Sequence, residues 1–88
     1  MARVTIELYG IARRRAGRES LALEAATLRD ALLALETASP PLAGEILVDG
    51  APAPHWRVSL DGTRFLEDGA EVLPDGARLL LLSSLAGG

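Results

Sequence analysis

The sequence predicts an α+β fold, a mixed β-sheet carrying one main helix. Three observations lead there. The first stretch alternates apolar and polar residues as a half-buried strand does. One segment in the first half repeats its leucines at helical spacing. The chain closes on Leu79, Leu80, Leu81 and Leu82, apolar on both faces and so suited to the middle of a sheet.

Along residues 3–9, Val4, Ile6 and Leu8 fall on one face and Thr5, Glu7 and Tyr9 on the other, which predicts a strand closed by Gly10. Residues 11–18 read as a basic connector. A second short strand over about 19–24 turns Leu21 and Leu23 inward, and two strands joined by a short loop predict a hairpin. Thr27-Leu28-Arg29-Asp30 has the form of a helix start, with a hydroxyl to accept an orphan amide and an acid in the first turn. Leu28, Ala31, Leu32 and Leu35 give that helix its apolar stripe, and Ser39-Pro40-Pro41 ends it by about Ala38. Residues 45–48 read as either a short strand or a helical turn before Asp49-Gly50, and Ala51-Pro52-Ala53-Pro54 as a rigid connector. Trp56, Val58 and Leu60 alternate with Arg57 and Ser59 as a further strand. Asp61-Gly62 is a hairpin signal, Arg64-Phe65-Leu66 a short returning strand, and 78–82 the last strand. No internal repeat is present.

With the closing strand central beside the first, and the helix crossing between the hairpin and the later strands, the arrangement is the β-grasp, or ubiquitin-like, fold. Residues 1–82 form the domain and 83–88 an extended tail. One helix covers one face of a sheet only. An apolar patch on the other face is then a docking surface, with Leu79, Leu81 and Phe65 as candidate interface residues, unless residues 42–55 fold over it.

Composition narrows the function. Eighty-eight residues make one domain, and 49% hydrophobic with 24% charged residues is ordinary for a globular chain. A net charge of −3 does not favour general nucleic-acid binding. No apolar run approaches a membrane span and no signal-peptide pattern opens the chain, so a cytoplasmic location without membrane association is expected. There is no Cys, hence no disulfide, thiol nucleophile or thiolate metal site, and His55 is the single histidine, so no triad or histidine-based metal cluster can be built. All nine basic residues are Arg. The absence of Lys fits either a bias in composition or a chain whose activated end avoids amines.

The group singled out for chemistry is the carboxylate of Gly88. Glycine at 87 and 88 opens backbone conformations closed to other residues and leaves the carboxylate accessible from every side. Residues 83–88, if extended, reach about 20 Å, enough to enter a neighbour's cleft. A frayed terminus also ends in small residues; placement directly after a central strand is what favours a working tail.

Asp75-Gly76-Ala77-Arg78-Leu79-Leu80-Leu81-Leu82-Ser83-Ser84-Leu85-Ala86-Gly87-Gly88 resembles the ending of the molybdopterin synthase small subunit and its relatives, the MoaD/ThiS sulfur-carrier family. Leu8-Tyr9-Gly10-Ile11-Ala12-Arg13-Arg14-Arg15-Ala16-Gly17 is similar to that family's first strand and following segment, and Thr27-Leu28-Arg29-Asp30-Ala31-Leu32 to its helix opening. Residues 54–62, Phe65-Leu66-Glu67 and Asp75-Gly76 resemble its closing half. Two departures stand out. Ser83-Ser84 occupies positions where proline is common, and Asp61-Gly62 replaces Asn-Gly.

The resemblance implies a sulfur carrier that binds no cofactor itself. A ubiquitin-activating-like adenylyltransferase would use ATP and Mg²⁺ to convert the Gly88 carboxylate to an acyl-adenylate. A sulfur donor of desulfurase or rhodanese type would then supply the sulfur of a thiocarboxylate. Leu85, Ala86 and Gly87 would thread the tail into the large subunit of molybdopterin synthase, where the sulfur passes to a pyranopterin precursor. The related clients are thiamin synthesis, tRNA thiolation and protein conjugation. An inert β-grasp interaction module is the rival from another class.

Overall fold

The structure is a computed structural model that describes residues 1–83. A five-stranded mixed sheet is built from β1 (Ala2–Leu8), β2 (Ser20–Ala25), β5 (Trp56–Leu60), β6 (Arg64–Leu66) and β7 (Ala77–Ser83) in the order β2-β1-β7-β5-β6. β3 (Leu47–Val48) and β4 (Ala51–Pro52) form a separate two-stranded hairpin. Two helices, α1 (Gly10–Ala16) and α2 (Leu28–Ala38), and a 3₁₀ turn at Pro40–Leu42 complete the domain. The expected α+β ubiquitin-like fold is the one observed.

β7 is central because it is apolar on both faces and has two partners. It runs parallel to β1, with Ile6 opposite Leu79 and Leu8 opposite Leu81. On its other side it is antiparallel to β5, with Val58 opposite Leu81 and Trp56 opposite Ser83. Ser83, expected as the first residue of the tail, is therefore still in the sheet. Val4, Ile6, Leu8, Leu79, Leu81 and Val58 point into one core with Leu28, Leu32 and Leu35 of α2. The Thr27 hydroxyl accepts from the Asp30 amide at 3.2 Å, the N-cap the sequence predicts.

Two segments differ from expectation. Residues 10–16 are not an irregular connector but a helix of less than two full turns. Only Ala12 is buried in it, so no apolar stripe announces it. Its stability comes from its ends: Arg13, Arg14 and Arg15 occupy the last turn, where the dipole favours cations, and Gly17 (φ +74°) closes it by donating its N–H to the Arg13 carbonyl. Residues 47–52 form a hairpin around Asp49-Gly50, both at positive φ as a tight two-residue turn requires. Ala51-Pro52, expected as connector, is thus its second strand. Leu42, Ile46 and Leu47 join the same core as α2, and the Gly50 amide donates to Glu36 Oε2 at 2.6 Å. Residues 42–55 consequently thicken the helical layer, and the opposite face of the sheet stays open.

Candidate functional site

Register decides which side chains stand on the open face. Residues alternate across a strand, so those sharing the parity of Arg78 in β7 point away from the helices. Leu80 lies opposite Ser59, Leu82 opposite Arg57, and Ser59 opposite Phe65 of β6. Leu80, Leu82 and Phe65 thereby form an apolar centre, in which Phe65 is 46% exposed and the two leucines half-buried.

Charged groups frame this centre. The Arg57 guanidinium lies 4.0 Å above the Phe65 ring centroid and reaches Glu67 Oε1 at 3.4 Å. Such a stacked cation contributes on the order of 0.5–1 kcal/mol at an exposed site. On the β1 side the Tyr9 hydroxyl donates to Glu7 Oε1 at 2.5 Å, and Arg78 Nε meets Glu7 Oε2 at 3.2 Å. The hydrogen bond to Glu7 holds the proton on the phenol and raises its pKa, with burial and the Glu7 charge adding to the effect and Arg78 opposing it.

The tail leaves the sheet at one end of this face. Asp61 Oδ1 accepts from the Arg78 amide at 3.0 Å and the Asp61 amide donates to the Arg78 carbonyl at 2.7 Å, which pins the start of β7. Pairing continues to Trp56 opposite Ser83. The strand that precedes residues 84–88 is thus held on both sides to Leu81 and by β5 alone to Ser83, its last described residue.

Gly88, Gly87, Ala86 and Leu85 lie outside the described residues. Phe65 is on the open face as an interface residue must be. Leu79 and Leu81 are not: both are 0% exposed, under α2 and the helical layer. They hold β7 in place, and Leu80 and Leu82 take the surface positions. Sequence carried the signal that would have found them. Arg78 is the one charged residue of β7, and its parity marks the solvent side. Among the described residues no helix is long and apolar enough to cross a membrane.

No family model and no curated protein matches the sequence. Solved structures do. Small archaeal modifier protein 1 from Haloferax volcanii superposes with a TM-score of 0.84 at 26% identity, over 99% of this chain and 100% of that one. Its namesake from Methanosarcina acetivorans gives 0.84 at 26% identity, over 100% and 98%. The chain shares the ubiquitin-like fold of these small archaeal modifier proteins along its whole length. A third member of this fold comes from the complex of subunits 1 and 2 of the molybdopterin-converting factor of Helicobacter pylori, with a TM-score of 0.66 and 22% identity over 98% of this chain and 99% of that one. At that identity the likeness speaks for the fold alone. The ubiquitin-like frame is matched over at least 98% of this chain in all three.

Proposed function

We propose that this protein is a sulfur carrier, the small subunit of a molybdopterin synthase, whose reacting group is the carboxylate of Gly88. The observation that supports this best is the central β7, paired with β1 to Leu81 and with β5 to Ser83, with Leu85-Ala86-Gly87-Gly88 later in the sequence. The body presents and orients; the chemistry takes place on backbone atoms. A free carboxylate is a poor electrophile. A partner of the ubiquitin-activating type joins it to AMP from ATP, with Mg²⁺ on the phosphates and pyrophosphate released. A donor persulfide attacks the acyl carbon, the C–O bond to AMP breaks, and a second thiol of the donor cleaves the S–S bond to leave a thiocarboxylate. Glycine at 87 and 88 suits this, because no side chain obstructs attack on the carbonyl.

The large synthase subunit would receive the tail and bind the pyranopterin precursor, with the open face of Leu80, Leu82 and Phe65 against it. A subunit 1–subunit 2 complex exists for the Helicobacter pylori neighbour, which supports a partner-bound role. The similarity to small archaeal modifier proteins favours a second client, attachment to other proteins, and the activation step is common to both.

Incubation with the adenylating enzyme, MgATP and a persulfide donor, followed by intact-protein mass spectrometry, tests the carrier reading. The expected product is heavier by the difference between sulfur and oxygen. Removal of Gly87-Gly88 is expected to leave the thermal midpoint within about 2 °C, since neither glycine has a side chain to bury, while abolishing that product. If the truncated chain still supports the pathway, the carrier reading is wrong. Addition of the large subunit and precursor to the loaded protein separates the clients, because only a synthase subunit loses its sulfur to the pterin.

A further inference from the structure

The carrier reading, on which this inference rests, requires a partner to approach the end of the sheet where β7 leaves. The wall of that end is α1. β1 runs parallel to β7, ends at Leu8 opposite Leu81, and passes into α1 at Gly10 with Ala12 buried beneath it. Four of the nine arginines, Arg13, Arg14, Arg15 and Arg18, fall on α1 and the turn after it.

Two of the four are neutralised within the fold. Arg13 pairs with Glu19 and Arg15 with Glu45, each at 2.6 Å. Arg14 and Arg18 are exposed, and neither has an ion-pair or side-chain hydrogen-bond partner among the described residues. Elsewhere Arg57, Arg64 and Arg78 are paired with glutamates, while Arg3 and Arg29 stand singly on other elements. A chain of net charge −3 therefore keeps two uncompensated cations at its tail-bearing end. Tyr9 (40%) and Ile11 (43%) stand exposed at the entry to the same helix.

We propose that Arg14 and Arg18 are a docking contact for carboxylates on the rim of the adenylating enzyme's tail-accepting cleft. That enzyme is the common partner of every client considered, so the contact does not depend on which one is served. The charge is complementary to an acidic protein surface. Two free cations at this end of a negative chain are too few for a phosphate backbone, whose binding rests on many neutralised phosphates. Exposed Tyr and Ile beside Arg match a protein interface, where aromatic side chains and Arg are enriched. Exposed rim charges act mainly on encounter, so the effect belongs in the association rate and its salt dependence.

The test is stopped-flow or biolayer association of the full chain with the adenylating enzyme of the same organism. R14E/R18E is expected to lower the association rate about ten-fold at roughly 0.1 M salt and to approach wild type at roughly 1 M, where the Debye length falls from about 10 Å to about 3 Å. R14K/R18K is expected to stay within about two-fold of wild type, because point charge rather than fork geometry acts in a screened encounter. Far-UV circular dichroism is expected unchanged and the thermal midpoint of R14E/R18E to fall by only a few degrees, the acid at position 14 opposing the dipole at the end of α1, while R14K/R18K keeps the wild-type midpoint. An association rate for R14E/R18E within two-fold of wild type at the lower salt overturns the proposal, as does a deficit that persists at the higher salt. Tighter binding of the wild-type chain to single-stranded RNA than to the enzyme overturns it too. If wild type accepts no sulfur at all, the carrier reading has failed; if wild type is loaded and the variants associate alike, only this contact has failed.

Discussion

The two faces of β7 give opposite predictions for adjacent leucines. Leu81 is 0% exposed and sits between Leu8 and Val58 in the middle of the core. Leu81→Ala removes buried carbon atoms from a site walled by two sheet neighbours and α2, so little collapse can fill the space. The expected cost is about 3 kcal/mol, within the range of about 2–5 kcal/mol for such truncations. For a domain of this size that corresponds to a fall in thermal midpoint of roughly 12–24 °C. Leu82 is half-buried on the open face beside Arg57, and Leu82→Ala leaves no enclosed cavity. Its expected cost is below about 1 kcal/mol. Urea titration measures both, with the single Trp56 as fluorescence probe because it packs against the core. The functional order is reversed: under the proposed function, Leu82→Asp is expected to abolish binding to a large synthase subunit while the protein remains folded. Equal destabilisation by L81A and L82A would show that the sheet faces have been assigned wrongly.

Two further outcomes are specific to this structure. Gly50 has φ +78°, and a methyl group there would lie 2.8 Å from Leu33 Cγ; Gly50→Ala is expected to cost about 1–3 kcal/mol by urea denaturation, with the strain confined to the β3-β4 hairpin and α2. The Tyr9 phenol, raised above its ordinary 10.0 by the bond to Glu7, is expected to titrate in the native state above that value by ultraviolet absorbance. Its stabilising contribution is complete below the unfolded phenol's pKa and is lost as pH rises through the higher folded one. Glu7→Gln is expected to bring the transition back toward 10.0.

What could be read without coordinates was whatever depends on local pattern. Alternation marked β1, β5 and the core residues Val4, Ile6 and Leu8. The Thr27 cap and the leucine stripe marked α2, and Asp61-Gly62 the β5-β6 hairpin. α1 escaped because a seven-residue helix held by its end groups shows no periodicity. The hairpin at 47–52 escaped because two-residue strands are too short to alternate, although its Asp49-Gly50 turn was plain.

Sequence by itself determined the ubiquitin-like class and placed β7 centrally, because a strand apolar on both faces has nowhere else to be buried. It also carried the Gly-Gly ending, a matter of covalent chemistry alone. Tertiary structure decided which leucines of β7 are core and which are surface. Within the four-leucine run no polar member shows the phase; Arg78 just before it is the one hint in the sequence, and the register against β1 and β5 settles it. Only the fold, too, set α1 at the tail-bearing end and paired Arg13 and Arg15 while leaving Arg14 and Arg18 without partners among the described residues, since ion pairing depends on distances in space that neighbouring arginines in a chain do not share.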